Sequence, residues 1–490
     1  MKDVQGEQLI RPAYKLPGGI QPELFTERRF QGAECELVLQ LPVLTPKLMN
    51  EIAHTLRERR KQYLFRLSTG QIVAKLDQAV QKWLDPDYEL RRLAEAWLPV
   101  ITGYDREMIR LELKRLMRTF RKKELLRFLD EEFDNPAVLD EFRPRKNGGL
   151  SRAYGPELLF HVFSGNVPGL PVWSLVSGFL LKAANLGKTS SSEPLMPVLF
   201  AESLAEVDPE LADCMAIVPW KGGTIEIEDT VMEAADGIVI YGGEEPVRQL
   251  RQRVSGAKRF VTYGHKVSFA MIGREALTAD RYRETARRVA EDASVYDQQG
   301  CLSPHSILVE EAGAVTPRQF GQLLAAEMQN YQEKKPRAAL SDEESMAIQA
   351  VRSRYEMQSL GSDEVAVYTS KQGTDWTVIY HDKTGFEPSP LNRTVHVFRC
   401  DTLEEGAASI SPFSDYLQTA AVAVGPERLL TLSDELGRLG VTRICAVGRM
   451  PRTPAGWHHD GRFNLLDFVR WVDIEASVEQ AAEQFDPDVE

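Results

Sequence analysis

Between Leu158 and Val447 short apolar runs alternate with amphipathic stretches, and no other feature limits the available folds so strongly. Strand-like runs at Leu158–Phe163, Met215–Val218, Gly237–Tyr241 and Arg259–Thr262 are separated by helical stretches at Trp173–Lys182, Glu226–Ala235 and Glu244–Val254. A second series follows. Helix Arg281–Tyr296 leads to strand Ser306–Val309, then to helices near Arg318–Tyr331 and Ser341–Tyr355. Strand Thr394–Phe398, strand Leu417–Val424, helix Glu427–Leu439 and strand Thr442–Val447 complete it. Glu364–Tyr368 and Trp376–Tyr380 alternate as a hairpin does. Strands joined by helices of roughly 10–15 residues build βαβ units, so the expected class is α/β with a parallel sheet.

The residues before this pattern read mostly as helices: Met49–Phe65 and Leu90–Phe133 carry apolar residues at three- and four-residue spacing among Lys, Arg and Glu. The loop Arg143–Gly149 is where that region hands over. At roughly 150 residues per domain, 490 residues make about three domains. A net charge of −13 argues against nucleic acid as a partner, because a phosphate backbone requires clustered cations. Met1–Glu7 has no apolar core of the kind a signal peptide needs. The most apolar stretch, Gly169–Leu181, is shorter than the roughly 18–20 residues that span a bilayer. No integral membrane segment is therefore expected. Five scattered cysteines without a CxxC pair are neither a disulfide framework nor a zinc site, and a reducing cytoplasm fits them best.

Cys301 is the residue with the most chemical promise. It follows a polar turn, Asp297-Gln298-Gln299-Gly300, whereas Cys214, Cys400 and Cys445 lie in or beside apolar strands and read as small buried hydrophobes. A thiolate in a Gly-rich turn can be approached closely and act as a nucleophile. His305, four residues on, is either its base or an ordinary loop histidine. In Ser164-Gly165-Asn166-Val167-Pro168 the Asn amide either donates to a developing oxyanion or closes an Asx turn. Gly242-Gly243, between a strand and a helix, either admits phosphates to the helix N-terminus or is a plain turn, with Glu244 and Glu245 unfavourable to a phosphate. The eight histidines give no metal-ligand spacing, and His458-His459-Asp460 reads as a surface loop.

Five segments in this order resemble the aldehyde dehydrogenase superfamily, and within it the LuxC family of long-chain fatty acyl-CoA reductases. They are Ser164–Pro194, Ala235–Arg251, Arg259–Gly273, Asp297–Glu310 and His458–Glu475. The resemblance implies an aldehyde-dehydrogenase-like fold: a Rossmann-type dinucleotide domain, an α/β catalytic domain and a small oligomerisation element. The expected boundaries are 1–262 for a helical region leading into the dinucleotide domain, 263–448 for the catalytic domain, and 449–490 for a segment that oligomerises or returns to the first domain. Residue by residue, the resemblance makes Cys301 the catalytic thiol, Asn166 the oxyanion-hole amide, and Gly242 and Gly243 the dinucleotide loop. Where relatives keep a Lys beside the adenine ribose, the counterpart by register is Ser190, with Lys188 two residues earlier, which favours NADPH over NADH.

Thr262 occupies the position where hydrolytic relatives carry a general-base Glu. Without that carboxylate water is poorly activated, so an acyl-enzyme survives to be reduced. The carboxylate that usually holds the nicotinamide ribose has no counterpart in Ser389–Arg393. The implied activity is NAD(P)H-dependent reduction of acyl-CoA to fatty aldehyde, with an acyl-protein synthetase as partner and a homo-oligomeric state. Two alternatives stand beside it: an aldehyde or other acylating dehydrogenase for a different carbonyl, and an acyl-carrying scaffold without redox activity.

Overall fold

A computed structural model describes residues 8–371, 373–486 and 488. The signal-peptide reading of Met1–Glu7 lies outside the described residues. The chain opens with strands β1 (Gln8–Pro12), β2 (Phe25–Gln31) and β3 (Glu36–Pro42), in the order β1-β3-β2. This corrects the expectation of a mostly helical start. The central strand hides its period: Leu37, Val38 and Leu39 are all buried, so the sequence shows a continuous apolar run instead of alternation.

Five helices follow, α1 (Pro46–Gln62), α2 (Thr69–Leu84), α3 (Glu89–Thr102), α4 (Arg106–Arg118) and α5 (Lys122–Glu132); all but α2 fall in the two stretches expected to be helical. Ser68 starts α2 with a capping box, its hydroxyl accepting from the Gln71 N–H while Gln71 accepts from the Ser68 N–H. Such a cap contributes about 1 kcal/mol. The helices bury Leu76, Trp83, Met108, Phe120 and Phe128 in one continuous core with the next sheet.

A short hairpin of β4 (Arg143–Pro144) and β5 (Leu150–Tyr154) introduces a parallel sheet of β6 (Leu158–Val162), β7 (Ala184–Thr189), β8 (Met215–Pro219), β9 (Gly237–Tyr241) and β10 (Arg259–Tyr263). Its order is β10-β9-β6-β7-β8. Helices α6 (Leu170–Leu180) and α7 (Met196–Ala205) cover one face. After the short α8 (Pro209–Ala212) comes α9 (Ile225–Ala234), which covers the other face with α1, and α10 (Glu244–Arg253) follows β9. Because β6 leads to β7 on one side and to β9 on the other, the chain changes direction at β6. The crevice beyond the carboxyl ends of β6 and β9 is where open α/β sheets bind ligands.

The larger sheet, in the order β13-β14-β15-β12-β11-β16-β17, is parallel except for the β13–β14 pair. In chain order its elements are β11 (Val267–Ile272), α11 (Tyr282–Ser294), β12 (Pro304–Glu310), α12 (Pro317–Lys334), α13 (Asp342–Ser359), β13 (Val365–Thr369) and β14 (Thr377–His381). Then come β15 (Thr394–Cys400), α14 (Leu403–Ala408), β16 (Leu417–Ala423), α15 (Pro426–Arg438) and β17 (Arg443–Ala446). The tail forms β18 (Arg470–Ile474), antiparallel to β5, and α16 (Ala476–Glu483). Among the described residues no helix is long and apolar enough to cross a membrane.

Candidate active site

The turn before Cys301 is strained and heavily braced. α11 ends at Ser294, and Tyr296, Asp297 and Gln298 then take φ values of +50, +52 and +68. Each non-glycine residue held there costs on the order of 1–2 kcal/mol, so the surroundings must over-determine the conformation. Asp297 is paired with Arg393, Oδ1 to Nη2 at 2.6 Å, with both side chains out of solvent. Gln298 donates through Nε2 to the carbonyls of Pro304 (2.7 Å) and Thr394 (2.8 Å), and its Oε1 accepts from the Thr394 N–H at 2.8 Å. Gln299 donates to Asn392 Oδ1 at 2.9 Å. The bracing segment Leu391–Arg393 is itself left-handed.

Three further contacts aim the turn at the dinucleotide-type sheet. Ser268, at a β-bulge on β11, donates through Oγ to the Cys301 carbonyl at 2.8 Å. Bulges re-aim side chains in this way near functional sites. Asn166, in the turn after β6, donates through Nδ2 to the Gln299 carbonyl at 2.7 Å. The Asn166 carbonyl accepts from Tyr104 Oη at 2.7 Å. Tyr104 follows α3 and its ring packs edge-on to Tyr296, 5.8 Å between centroids. The N-terminal helices therefore support both halves of the site.

The thiol is protonated in the free chain. Packing around its sulfur pushes Cys301 up to about 11, and the nearby Asp460 carboxylate adds to the rise, while Gln418 and Arg443 oppose it. Ionisation is not what sets this cysteine apart, since burial also pushes Cys445 up to about 11 and Cys400 and Cys214 up to about 12. Position does so: Cys301 is half-buried at the turn facing Asn166, whereas Cys214 and Cys400 are fully enclosed, as expected of small hydrophobes, and Cys445, only half-buried against that expectation, lies on β17. His305 is buried in β12 and its Nδ1 accepts the Ser389 N–H at 3.0 Å. Burial pushes it down to about 3, so it is a neutral structural ring and not a loop histidine.

The remaining predicted residues line the parallel sheet's edge of the crevice. Lys188 leaves β7 half-buried, its Nζ 5.5 Å from the Trp220 ring centroid, with burial lowering its pKa against the pull of Glu228. Among the described residues no carboxylate lies within ion-pair distance of it, and the buried Trp220 Nε1 has no hydrogen-bond partner. Ser190 is half-buried and shares a hydrogen bond with Ser192, Oγ to Oγ at 2.8 Å. A Cβ on Gly165 would stand 2.0 Å from Ser192 Oγ and 2.6 Å from Ser190 Oγ, so the oxyanion-type turn and the serine loop touch because Gly165 has no side chain. A Cβ on Gly243 would meet nothing within 4 Å, leaving open space over the N-terminus of α10. Glu245, one cause for doubt about a phosphate there, is occupied by Arg248 and Gln249.

Two residues beside the thiol escape sequence reasoning, Gln418 on β16 and Asp460. The segment His458-His459-Asp460 is not a surface loop: His459 is buried and stacked on Tyr263, 4.0 Å between centroids at 12°. The doubled histidine is the one signal that could have found it. Tyr104 and Ser268 carry no signal at all.

Comparison with known proteins agrees with this arrangement. The acyl-CoA reductase (LuxC) family matches residues 64–471. A long-chain acyl-protein thioester reductase of Aliivibrio fischeri is 28% identical over 414 residues, covering 84% of this chain and 83% of its own length. One from Photorhabdus luminescens is 27% identical, with coverage of 81% and 80%. Among solved structures, an aldehyde dehydrogenase from Brucella melitensis superposes with a TM-score of 0.72 at 12% identity, covering 94% of this chain and 96% of its own. An NADP-dependent glyceraldehyde-3-phosphate dehydrogenase from Bacillus halodurans, complexed with NADP, gives 0.69 at 14% identity, with coverage of 93% and 96%. The fold is therefore that of the aldehyde dehydrogenases, and the chain belongs to the LuxC family of acyl-CoA reductases, a family of oxidoreductases.

Proposed function

We propose that this protein reduces long-chain acyl thioesters to fatty aldehydes with NADPH, through an S-acyl intermediate on Cys301. The observation that carries the reading is the hydrogen bond from Asn166 to the Cys301 turn, which brings an amide donor and a thiol together at the sheet's switch point. The relatives' names point to acyl groups on a protein and the family's to acyl-CoA. Both donors are thioesters, so the chemistry at the thiol is the same.

Cys301 Sγ attacks the acyl carbonyl, with its proton leaving to solvent. The second Asn166 Nδ2 hydrogen and the Cys301 N–H receive the charge that develops on oxygen. The donor thiolate departs, leaving the acyl group on sulfur. The residues present suit a dinucleotide: the open N-terminus of α10 at Gly242-Gly243 would hold its diphosphate, Ser190 its ribose and the unpaired Lys188 cation its 2′-phosphate. When bound, the dinucleotide supplies the hydride that takes the acyl group to the aldehyde. Thr262, in place of a carboxylate, leaves water unactivated at the acyl-enzyme.

The same reading assigns residues 1–262 to a helical and dinucleotide-binding unit, 263–448 to the catalytic unit, and 449–490 to a returning segment that supports a homo-oligomer. It also places the protein in the cytoplasm beside an acyl-protein synthetase that supplies activated acid.

The test is NADPH oxidation by the purified chain over a panel of acyl-CoA lengths, with aldehyde identified as product. Cys301→Ala abolishes turnover, and Asn166→Ala slows acylation by roughly 10²–10³. Turnover surviving in Cys301→Ala would overturn the assignment. Absence of NADPH binding by thermal shift would point to an acyl carrier without redox chemistry.

A further inference from the structure

A second cation approaches the serine loop from the N-terminal sheet. After β1 the chain docks on the edge of the parallel sheet, where Lys15 and Ile217 of β8 exchange both backbone hydrogen bonds, at 2.8 and 2.7 Å. Arg11 of β1 pairs with Glu202 of α7. β2 is joined to β1 through β3, so these contacts hold β2 as well.

Along β2 successive side chains point to opposite faces. Arg28 and Phe30 are half-buried and lie opposite Leu39 and Leu37 of β3, both fully buried. Phe30 packs against the core that contains those leucines, and the Arg28 guanidinium carbon lies over its ring, 4.7 Å from the centroid. Glu27 and Arg29 take the exposed face, with Arg29 paired to Glu27 at 2.7 Å and to Glu36 at 3.0 Å. Those two acids are thereby occupied. Arg28 has none: among the described residues its one hydrogen bond runs from Nη1 to the Ser191 carbonyl, and no carboxylate lies within ion-pair distance. The chain carries 72 acidic residues against 59 basic ones, so the missing partner is not for want of carboxylates.

Ser191 stands between Ser190 and Ser192, whose hydroxyls share a hydrogen bond, and Lys188 leaves the same strand just before them. Two cations without anions therefore meet one short loop. Nε and Nη2 of Arg28 make no hydrogen bond among the described residues, which leaves part of the guanidinium fork free. A phosphate monoester carries roughly −1.5 to −2 at pH 7 and offers three acceptor oxygens, which suits a guanidinium and an ammonium together. This phosphate is not the one at Gly242-Gly243. That turn follows β9, which β6 separates from β7 by roughly 10 Å.

We infer that Arg28 is a second cation for the 2′-phosphate of NADPH, reaching the serine loop from β2, and that it makes the site prefer NADPH to NADH. The inference rests on the reading of Ser190 and Lys188 as the ribose end of a dinucleotide site. It gives the N-terminal sheet, unexpected from the sequence, a part in cofactor choice.

The experiment titrates the full chain with NADPH and with NADH, following cofactor fluorescence, for the wild type, Arg28→Gln and Arg28→Lys. Gln keeps an N–H for the Ser191 carbonyl and removes the charge. Arg28→Gln weakens NADPH roughly tenfold, the order of one charge-assisted hydrogen bond, and leaves NADH within about twofold. Arg28→Lys keeps the charge and recovers part of the loss. A residue that only braced the loop would affect both cofactors alike, because both carry the ribose that Ser190 would hold. Equal weakening of the two, or NADPH binding unchanged in Arg28→Gln, overturns the inference and leaves the dinucleotide site standing. A wild type that binds NADH as tightly as NADPH does the same. Binding of neither cofactor by the wild type overturns the dinucleotide reading, and the inference with it.

Discussion

Replacing Arg393 by Met tests whether the left-handed turn before Cys301 is held by charge. The guanidinium is fully buried, with Nη2 at 2.6 Å from Asp297 Oδ1 and Nη1 at 2.5 Å from Gln332 Oε1. Nη2 lies off the hydrogen-bonding direction of Oδ1, so the pair acts mainly through charge compensation. Asp297 keeps one true hydrogen bond, from the Ala338 N–H at 2.9 Å to Oδ2. Removing the arginine leaves a carboxylate in the interior without its cation, a change that costs about 3–5 kcal/mol. Met retains part of the packing against Tyr331, whose ring centroid lies 5.1 Å from the guanidinium carbon. The three strained residues Tyr296, Asp297 and Gln298 would release roughly 3–6 kcal/mol by relaxing, so the loss also frees the turn. Urea unfolding followed by tryptophan fluorescence measures the loss, and thioester turnover measures the disordering of the thiol. The double variant Asp297→Asn/Arg393→Met removes both charges and recovers about 2 kcal/mol relative to Arg393→Met. A loss below about 1 kcal/mol, or a double variant less stable than the single, would refute electrostatic bracing of this turn.

Gly165→Ala drives a Cβ to 2.0 Å from Ser192 Oγ and 2.6 Å from Ser190 Oγ, so the serine loop must move; NADPH binding by fluorescence titration weakens at least tenfold if that loop holds the ribose. Gly178→Ala is a control away from the chemistry: its Cβ would lie 1.8 Å from Asn185 Oδ1, which holds His161 Nε2 at 2.9 Å, and the overpacking costs about 1–3 kcal/mol by denaturant unfolding. Stability also depends on pH through Asp292, which accepts from the Gly448 and Met450 N–H groups and which burial raises from 3.8 to about 7. The folded state binds this proton more tightly than the unfolded state, so stability falls as pH rises from about 4 to about 7. Buried Glu193, also raised to about 7, acts in the same direction. Asp292→Asn flattens that part of the unfolding profile, and a profile identical to the wild type would show that Asp292 does not titrate there.

The βαβ alternation was legible because helix and strand periods differ along one local stretch. β6, β8, β9, β10, β12 and the β13–β14 hairpin all fall within a residue or two of their sequence positions. β7 and β11 escaped the periodicity for opposite reasons. Ala184-Asn185-Leu186-Gly187-Lys188-Thr189 is too polar and too small to look like a strand, yet it is buried between β6 and β8, with Gly187 against the Phe163 ring and Asn185 bonded to His161. Val267–Ile272 is apolar on both faces and carries no alternation. In both cases burial on two sides removes the signal that a one-sided strand displays.

The site divides along a similar line. Asn166, Ser190, Gly242 and Gly243 follow strand ends, Lys188 lies near the end of β7, and Cys301 sits in the turn between α11 and β12; turn chemistry is written locally in Gly, Ser, Asn and Pro. Their supports are not. Tyr104 comes from the helical region, Ser268 from a bulge, Arg393 from the turn before β15, and Asp460 from the returning tail. Each is an ordinary residue in an ordinary stretch until the fold brings it to the site. His458-His459-Asp460 shows the difference most clearly. As a sequence its chemical group is the pair of histidines, and diverging neighbours make a poor metal site. In the fold the histidine serves as a stacking weight, and the carboxylate beside it is the group that holds the Gln418 amide.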